Sequence, residues 1–245
     1  MITRAAPFGL LAVTAVVALG ACGDQGSTPP DETSGPGTVT VTEDAEPLDK
    51  PEQQQIDKAT ARKALPTRGD MPDKTWLLDI SPDSTLTSTY DPAECAAVEL
   101  DGAEARAFDK EHRKVKEKAR FSREKTDGGG SIATYVESFD EPFPTSLFDA
   151  AGTAIASCNE YTKGDELSPD RGLLAKGVTT PQLGDQTLAV RISGSNDNVH
   201  VDRMYVRSGH NLITVMVLDY DKDYDGKLMQ EYAQGILDDL KKATS

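Results

Sequence analysis

The stretch DKDYDGKLMQEY near the C-terminus has the residue types of a calcium-binding loop. An EF-hand requires oxygen ligands at loop positions 1, 3 and 5, glycine at position 6 and a bidentate glutamate at position 12. Asp221, Asp223 and Asp225 supply the oxygens and Gly226 the glycine, but position 12 is Tyr232. The nearest glutamate comes one residue early, which turns its carboxylate by about 100° around a helix. We therefore interpret the stretch as the acidic N-terminal cap of a helix, with calcium binding as the alternative.

No other group of residues has the spacing of a catalytic or metal site. The histidines His112, His200 and His210 are far apart in the sequence, and no GxSxG motif is present. Ser193 and Ser195 flank a glycine in a polar segment that is typical of a hairpin turn. The sequence predicts no catalytic residue, no metal ligand beyond the acidic stretch and no cofactor.

Charge and glycine patterns narrow the possible partners. The net charge of −15 would repel a polyanion, so nucleic acid is excluded as a partner. Gly128 to Gly130 are not followed by Lys-Ser/Thr, which excludes a phosphate-binding loop. The basic run from Arg113 to Arg120 alternates as a strand and is interleaved with Glu117. It predicts a solvated face of a sheet rather than a binding patch.

The N-terminus has the features of a lipoprotein signal. Residues 1–21 carry one positive charge at Arg4 and then an apolar run too short for a permanent membrane span. They end in Leu19-Gly20-Ala21 before Cys22, an arrangement that resembles the lipobox of bacterial lipoproteins. Cys22 is thus predicted to carry diacylglycerol and palmitate, and to tether the chain to the outer face of the cytoplasmic membrane.

The rest of the chain divides into a stalk and one domain. Residues 22–48 contain the lipidated cysteine and a Gly-, Pro-, Ser- and Thr-rich segment that predicts a disordered stalk. Residues 49–245 are the length of a single domain. With Cys22 acylated, Cys95 and Cys158 form an even pair, which predicts one disulfide in an oxidising compartment. Two free thiols are the alternative.

The hydrophobic pattern of residues 49–245 predicts an α+β fold. It is expected to have a mainly antiparallel sheet, helices packed on one face, and one disulfide. The predicted helices cover residues 51–65, 102–110, 146–158 and 228–240, with a short one at Cys95. The predicted strands cover residues 115–124, 131–139, 188–192, 199–207 and 212–219. We expect a loop over residues 159–172, and a bulge at Asp202–Arg203 where the apolar alternation changes phase.

Several segments together resemble the PknH-like extracellular sensor domain of actinobacterial receptor kinases and lipoproteins. They are a helix ending in Ala64-Leu65-Pro66, the segments Pro92 to Cys95 and Leu183 to Asp185, and the hairpin Tyr205 to Asn211. The resemblance covers about Asp49 to the C-terminus and implies an antiparallel sheet, packed helices and a ligand-sensing cleft. Members commonly have two disulfides, whereas this chain has cysteines for one, and no binding residue is carried over.

These observations favour a non-catalytic cell-surface lipoprotein. Its domain is expected to bind or sense a small molecule or an envelope protein, while Cys22 holds it to the membrane. Two alternatives remain. One is an envelope enzyme whose site is assembled from residues distant in sequence, and the other is a lipid-carrying lipoprotein with a large apolar cavity.

Overall fold

A computed structural model describes residues 40–41, 48–84, 86–124, 129–195, 199–220 and 225–244. The predicted signal peptide, Cys22 and most of the stalk lie outside these ranges, as do Asp221 and Asp223 of the candidate calcium loop. Within the described ranges, no helix combines the length and the apolar character needed to cross a bilayer.

The described strands form one antiparallel sheet. They are β1 Thr40–Val41, β2 Leu77–Leu78, β3 Thr89–Asp91, β4 Arg113–Ser122, β5 Ser131–Phe139, β6 Tyr161–Asp165, β7 Ser168–Gly177, β8 Gln186–Gly194, β9 Val199–Ser208 and β10 Asn211–Tyr220. The order across the sheet is β2-β4-β5-β10-β9-β8-β7-β6-β3, and β1 pairs with the start of β8. The predicted hairpin of β4 and β5 is confirmed, and β10 is a central strand as expected.

Four α-helices and three 3-10 helices are described alongside the sheet. The α-helices are α1 Lys58–Ala64, α2 Ala103–His112, α3 Thr145–Ser157 and α4 Gly226–Thr244, and the 3-10 helices cover Pro51–Gln53, Arg68–Asp70 and Ala93–Glu99. The single helix expected over residues 51–65 is therefore wrong. Asp57 interrupts it because its side chain caps α1 by accepting a hydrogen bond from the backbone N–H of Thr60.

Helices pack on both faces of the sheet, because its central strands are apolar on both sides. Along β9, Met204 and Val206 join a core with α1 and α4, whereas Tyr205 joins a second core with α3 and the 3-10 helix Ala93–Glu99. The predicted α+β class, antiparallel sheet and disulfide are confirmed. The expectation of helices on one face is corrected to helices on two, and we call the two sides the α4 face and the α3 face.

Two local predictions fail because long-range pairing decides them. The loop expected over residues 159–172 is instead the hairpin of β6 and β7, whose alternation in sequence is too short to detect. No bulge occurs at Asp202–Arg203, because both residues keep an unbroken register with β8 and β10. The change of phase in the sequence arises because polar side chains are buried there, and Asp202 is only 4% exposed.

The segment before α1 is fastened to the end of β9 by an N-terminal clamp, formed by Gln53, Asp185, Arg207 and Gly209. The amide Nε2 of Gln53 donates to Asp185 Oδ1 at 2.7 Å, and the backbone N–H of Gly209 donates to Asp185 Oδ2 at 2.7 Å. Arg207 Nη1 lies 3.3 Å from Asp185 Oδ2. One carboxylate therefore joins the N-terminal segment, the start of β8 and the β9–β10 turn.

Gly209→Ala is expected to lower the free energy of unfolding by about 2 kcal/mol or more. Gly209 has a φ of 54°, and a Cβ there would overlap the backbone of Gln53. The control is Gly235→Ala within α4, where a Cβ meets no atom within 4 Å. Since alanine favours helix over glycine, this control should stabilise the protein by about 0.5–1 kcal/mol. Urea unfolding of both variants checks the pair, and equal effects would contradict the proposed clash.

Candidate functional site

A cleft of about 430 Å³ lies on the α3 face of the sheet. The helix α3 covers the part of this face formed by β7 and β8, and the 3-10 helix Ala93–Glu99 contacts α3 and β3. The cleft lies over β4, β5, β10 and β9, with residues of α2 along one wall. Apolar and aromatic side chains of the cleft include Tyr90, Tyr135, Phe139, Phe143, Tyr205, Leu212 and Met216. Six basic and five acidic side chains also line it. In a strongly acidic chain, the cleft thus concentrates positive charge.

The disulfide positions one wall of the cleft. Cys95 and Cys158 are joined, and both are almost completely buried, so the 3-10 helix Ala93–Glu99 is bound covalently to the end of α3. That helix ends at Leu100, whose φ of 51° lies in the left-handed region. The adjacent Glu99 is directed into the cleft, with a side chain that is only 3% exposed.

Glu99 is the centre of a charged triad with Lys163 and Arg203. Lys163 Nζ donates to Glu99 Oε2 at 2.7 Å, and Arg203 Nη2 lies 2.7 Å from the same oxygen. Lys163 comes from β6 and Arg203 from β9, while Glu99 ends a 3-10 helix. Three elements distant in sequence therefore meet at one carboxylate oxygen.

A second acidic group stands beside the triad. Asp101 makes a bidentate pair with Arg106 of α2, with Nε to Oδ1 at 2.7 Å and Nη2 to Oδ2 at 2.8 Å. The hydroxyl of Tyr90 donates to Asp101 Oδ2 at 2.9 Å. Lys163 Nζ lies 5.3 Å from the centre of the Tyr90 ring, within cation–π range. The negative charge of Asp101 is thus paired with Arg106.

The basic strand forms the other side of the cleft. Arg113, Lys116 and Arg120 of β4 all line it, so this face is more enclosed than the solvated sheet face that the sequence predicts. Arg113 and Lys116 both contact Glu137, at 2.9 and 3.2 Å, and Arg120 pairs with Asp79 at 2.8 Å. These cations are all engaged with carboxylates from neighbouring segments.

Burial and charge set the ionisation of the inner groups. Burial alone raises the pKa of Glu99, but the adjacent Arg203 and Lys163 outweigh it and hold the pKa below its ordinary value. Burial raises the pKa of Tyr205, and burial together with Glu99 raises that of Tyr90. At neutral pH the triad therefore has two positive charges and one negative charge, and these tyrosine hydroxyls are neutral.

Glu99→Gln is expected to make the free energy of unfolding depend less steeply on pH in the acidic range. A carboxyl whose pKa is depressed on folding stabilises the protein above its unfolded pKa of about 4.3, and this contribution is lost as the pH falls. Wild type should be more stable than the variant at pH 7, and the difference between their free energies of unfolding should shrink between about pH 5 and pH 3. Urea unfolding across this range measures it. A gap that does not change with pH would contradict a charged Glu99.

The histidines singled out in the sequence do not assemble into a site. His200 Nδ1 lies 2.8 Å from Ser193 Oγ, His112 Nδ1 lies 3.0 Å from Asp140 Oδ1, and His210 Nδ1 lies 3.0 Å from the carbonyl oxygen of Phe139. The three rings lie on different elements and outside the cleft lining. Each one therefore has a local partner of its own.

The acidic stretch acts as a helix cap where it is described. Asp225 Oδ1 accepts a hydrogen bond from the backbone N–H of Leu228 at 3.0 Å, as the cap interpretation predicts. No group of three or more His, Cys, Asp or Glu side chains that could hold a metal occurs in the described part of the chain. Calcium binding by Asp221 and Asp223 lies outside the described residues and stays untested.

Sequence reasoning missed the triad. Arg203 lies in the apolar strand VHVDRMYVR, and the break that it makes in the alternation was the available signal. We interpreted that break as a bulge. Lys163 fell in a segment expected to be a loop, and Glu99 is one of 41 acidic residues in the chain, so neither stood out.

Comparisons with known proteins support the fold. No family profile and no curated protein sequence matches the chain. The crystal structure of the extracellular domain of PknH from Mycobacterium tuberculosis is similar at 12% identity and a TM-score of 0.60, over 78% of this chain and 99% of that one. An uncharacterised Mycobacterium smegmatis protein aligns over 76% and 98% at 12% identity, with a TM-score of 0.39. The alignment with the PknH extracellular domain shows that the chain shares its fold, as the sequence resemblance predicted.

Proposed function

We propose that the chain is a non-catalytic lipoprotein anchored to the outer face of the cytoplasmic membrane, and that its domain binds a small molecule in the cleft. The observation that carries the proposal is the open half of the α3 face, where buried charges and aromatic rings converge on one concave surface. The fold shared with an extracellular domain agrees with a location outside the cytoplasm. A sensing role would follow if occupancy of the cleft changes what the domain contacts.

The position of the cleft suits a binding module. Its floor consists of Tyr205, Leu212, Thr214 and Met216 on the central strands β9 and β10. A rigid floor lowers the entropy that is lost when a ligand binds. The N-terminal clamp holds the turn that joins the same two strands, so the floor is connected to the segment that leads toward the predicted stalk.

The test of binding is thermal stabilisation of the full chain by small-molecule extracts of bacterial envelopes. A ligand that binds only the folded state stabilises it by RT ln(1 + c/Kd) at a free ligand concentration c, so the melting temperature rises with ligand concentration. The matched control is Met216→Trp, which fills the cleft from its floor. We expect stabilisation of wild type that is lost in the variant. No stabilisation of wild type, or equal stabilisation of both proteins, would count against the cleft as the binding site.

The proposed anchor is tested separately through Cys22. Metabolic labelling with a palmitate analogue should mark wild type, whereas Cys22→Ala should remain unlabelled and leave the membrane fraction. Labelling that persists in the variant would remove Cys22 as the site of acylation.

A further inference from the structure

The charged triad is unbalanced. Arg203 and Lys163 share one oxygen of Glu99, and in the part of the chain that the structure describes no second carboxylate lies within 4.0 Å of either cation. Both side chains are mostly buried, with exposures of 18% and 22%. Two buried cations that share one carboxylate are costly, since a single negative charge compensates only in part for the water that both have lost. The triad therefore has one positive charge to spare at the floor of the cleft.

The hydrogen bonds of Arg203 are also incomplete compared with two other arginines of the same chain. Arg106 on Asp101 and Arg191 on Asp202 each use Nε and Nη2 together in a bidentate pair. Arg203 offers only Nη2 to Glu99 and Nη1 to the Tyr205 hydroxyl, and its buried Nε has no partner. The edge of a guanidinium that carries Nε and Nη2 matches two oxygens of a carboxylate or a phosphate. On Arg203, only one of the two donors of this edge, Nη2, has a partner.

The triad also divides two cavities. Glu99, Lys163 and Arg203 line the cleft, and the same three residues line a neighbouring cavity of about 350 Å³ over β7, β8 and β9. Among the residues that the structure describes, no other lines both. An anion that enters from the cleft therefore reaches Arg203 and Lys163 at the partition, in a cleft that Phe139, Tyr90 and Tyr135 also line.

We propose that the cleft binds its ligand through an anionic oxygen group, a carboxylate or a phosphate, held by Arg203 and Lys163 in competition with the internal carboxylate of Glu99. This inference rests on the proposed binding function of the cleft and names its ligand class: a small acid with an apolar or aromatic body. Glu99 keeps the two cations together in the ligand-free protein. The ligand oxygens then complete the edge of Arg203 and neutralise the spare charge.

The test uses NMR titrations of the full chain with phenylacetate, phenyl phosphate and the neutral analogue phenylacetamide. At least one anion should bind about tenfold or more tightly than phenylacetamide. A tighter fit for phenyl phosphate assigns a phosphate ligand, and a tighter fit for phenylacetate assigns a carboxylate. Equal affinities for all three probes, or no binding of either anion, would overturn the inference.

Two variants should shift anion affinity in opposite directions. Glu99→Gln removes the competing carboxylate and should tighten binding by about tenfold, whereas Lys163→Met leaves a balanced Glu99–Arg203 pair and should weaken it by about tenfold. The charge-matched control Lys242→Met, at an exposed side chain near the end of α4, should leave anion affinity unchanged. If the triad had only a structural role, either both substitutions would weaken anion binding or neither would. If Glu99→Gln fails to fold, Lys163→Met alone decides, because affinity equal to wild type would overturn the proposal.

The inference and the proposed function can fail independently. If phenylacetamide binds as well as the anions and Met216→Trp abolishes its binding, the cleft is a binding site without anion selectivity. If envelope extracts stabilise neither wild type nor Met216→Trp, the binding function itself is contradicted.

Discussion

Asp185→Ala is expected to lower the free energy of unfolding by about 3–5 kcal/mol. Asp185 is the acceptor of the N-terminal clamp for Gln53 and for the backbone N–H of Gly209, and it is the partner of Arg207. The Arg207 side chain is only 12% exposed. The substitution therefore leaves the nearly buried charge of Arg207 without its carboxylate and the backbone N–H of Gly209 without an acceptor, and both are costly. Urea unfolding of wild type and variant measures the difference.

The control for this prediction is Asp238→Ala on α4. Asp238 is exposed and accepts a hydrogen bond from Gln234 on its own helix, so its removal should change stability by about 0.5 kcal/mol or less. Similar effects at Asp185 and Asp238 would contradict the assignment of the clamp. Because the clamp joins residues more than 100 positions apart, its loss should also increase hydrogen exchange at the β9–β10 turn.

Replacing both disulfide cysteines is the second large expected effect. Cys95 and Cys158 close a loop with a sequence separation of 63 residues, and the chain-entropy description assigns such a loop about 4 kcal/mol. Cys95→Ala with Cys158→Ala should lower the free energy of unfolding by about this amount. Removing both residues avoids a free thiol and keeps the cavity small.

Reduction supplies the control for the disulfide. Dithiothreitol should destabilise wild type to nearly the level of the double variant, and it should leave the double variant unchanged. An unreduced wild type no more stable than the double variant would show that packing alone holds the 3-10 helix Ala93–Glu99 on α3. The same comparison tests the cleft, because the disulfide fixes the wall that presents Glu99.

The parts of the fold that were predicted from the sequence are those that carry a local signal. The helix α4 repeats apolar residues along one face, and six of its side chains are buried: Met229, Tyr232, Ala233, Ile236, Leu237 and Leu240. The hairpin of β4 and β5 alternates around a glycine-rich turn. The hairpin of β6 and β7 has neither signal, since Tyr161 and Leu173 bring too few apolar residues to the pattern, and it forms because its neighbours supply the pairing.

The candidate site was harder to predict from the sequence than the fold. A basic run on β4 was visible in the sequence, but its alternation with an acid indicated solvent rather than a cleft. Whether such a strand faces water depends on what covers it, and here α2 and the segment with Asp79 and Asp83 lie over Arg120 and its neighbours. Segments that cover a strand in this way are brought there by tertiary contacts, which the hydrophobic periodicity of the sequence does not show.

The α+β class, the β4–β5 and β9–β10 hairpins, the C-terminal helix and the pairing of Cys95 with Cys158 could be predicted from the sequence, because hydrophobic period and turn chemistry are local signals and the cysteine count leaves one pair. Which half of the α3 face stays open, and which charges meet there, depends on tertiary contacts. Glu99, Lys163 and Arg203 come from three elements, with 64 positions between the first two. They meet because β9 and β6 lie in one sheet with β8 and β7 between them, and because the disulfide holds the 3-10 helix that ends in Glu99 against α3. The burial of that meeting point converts three ordinary charges into one unbalanced site.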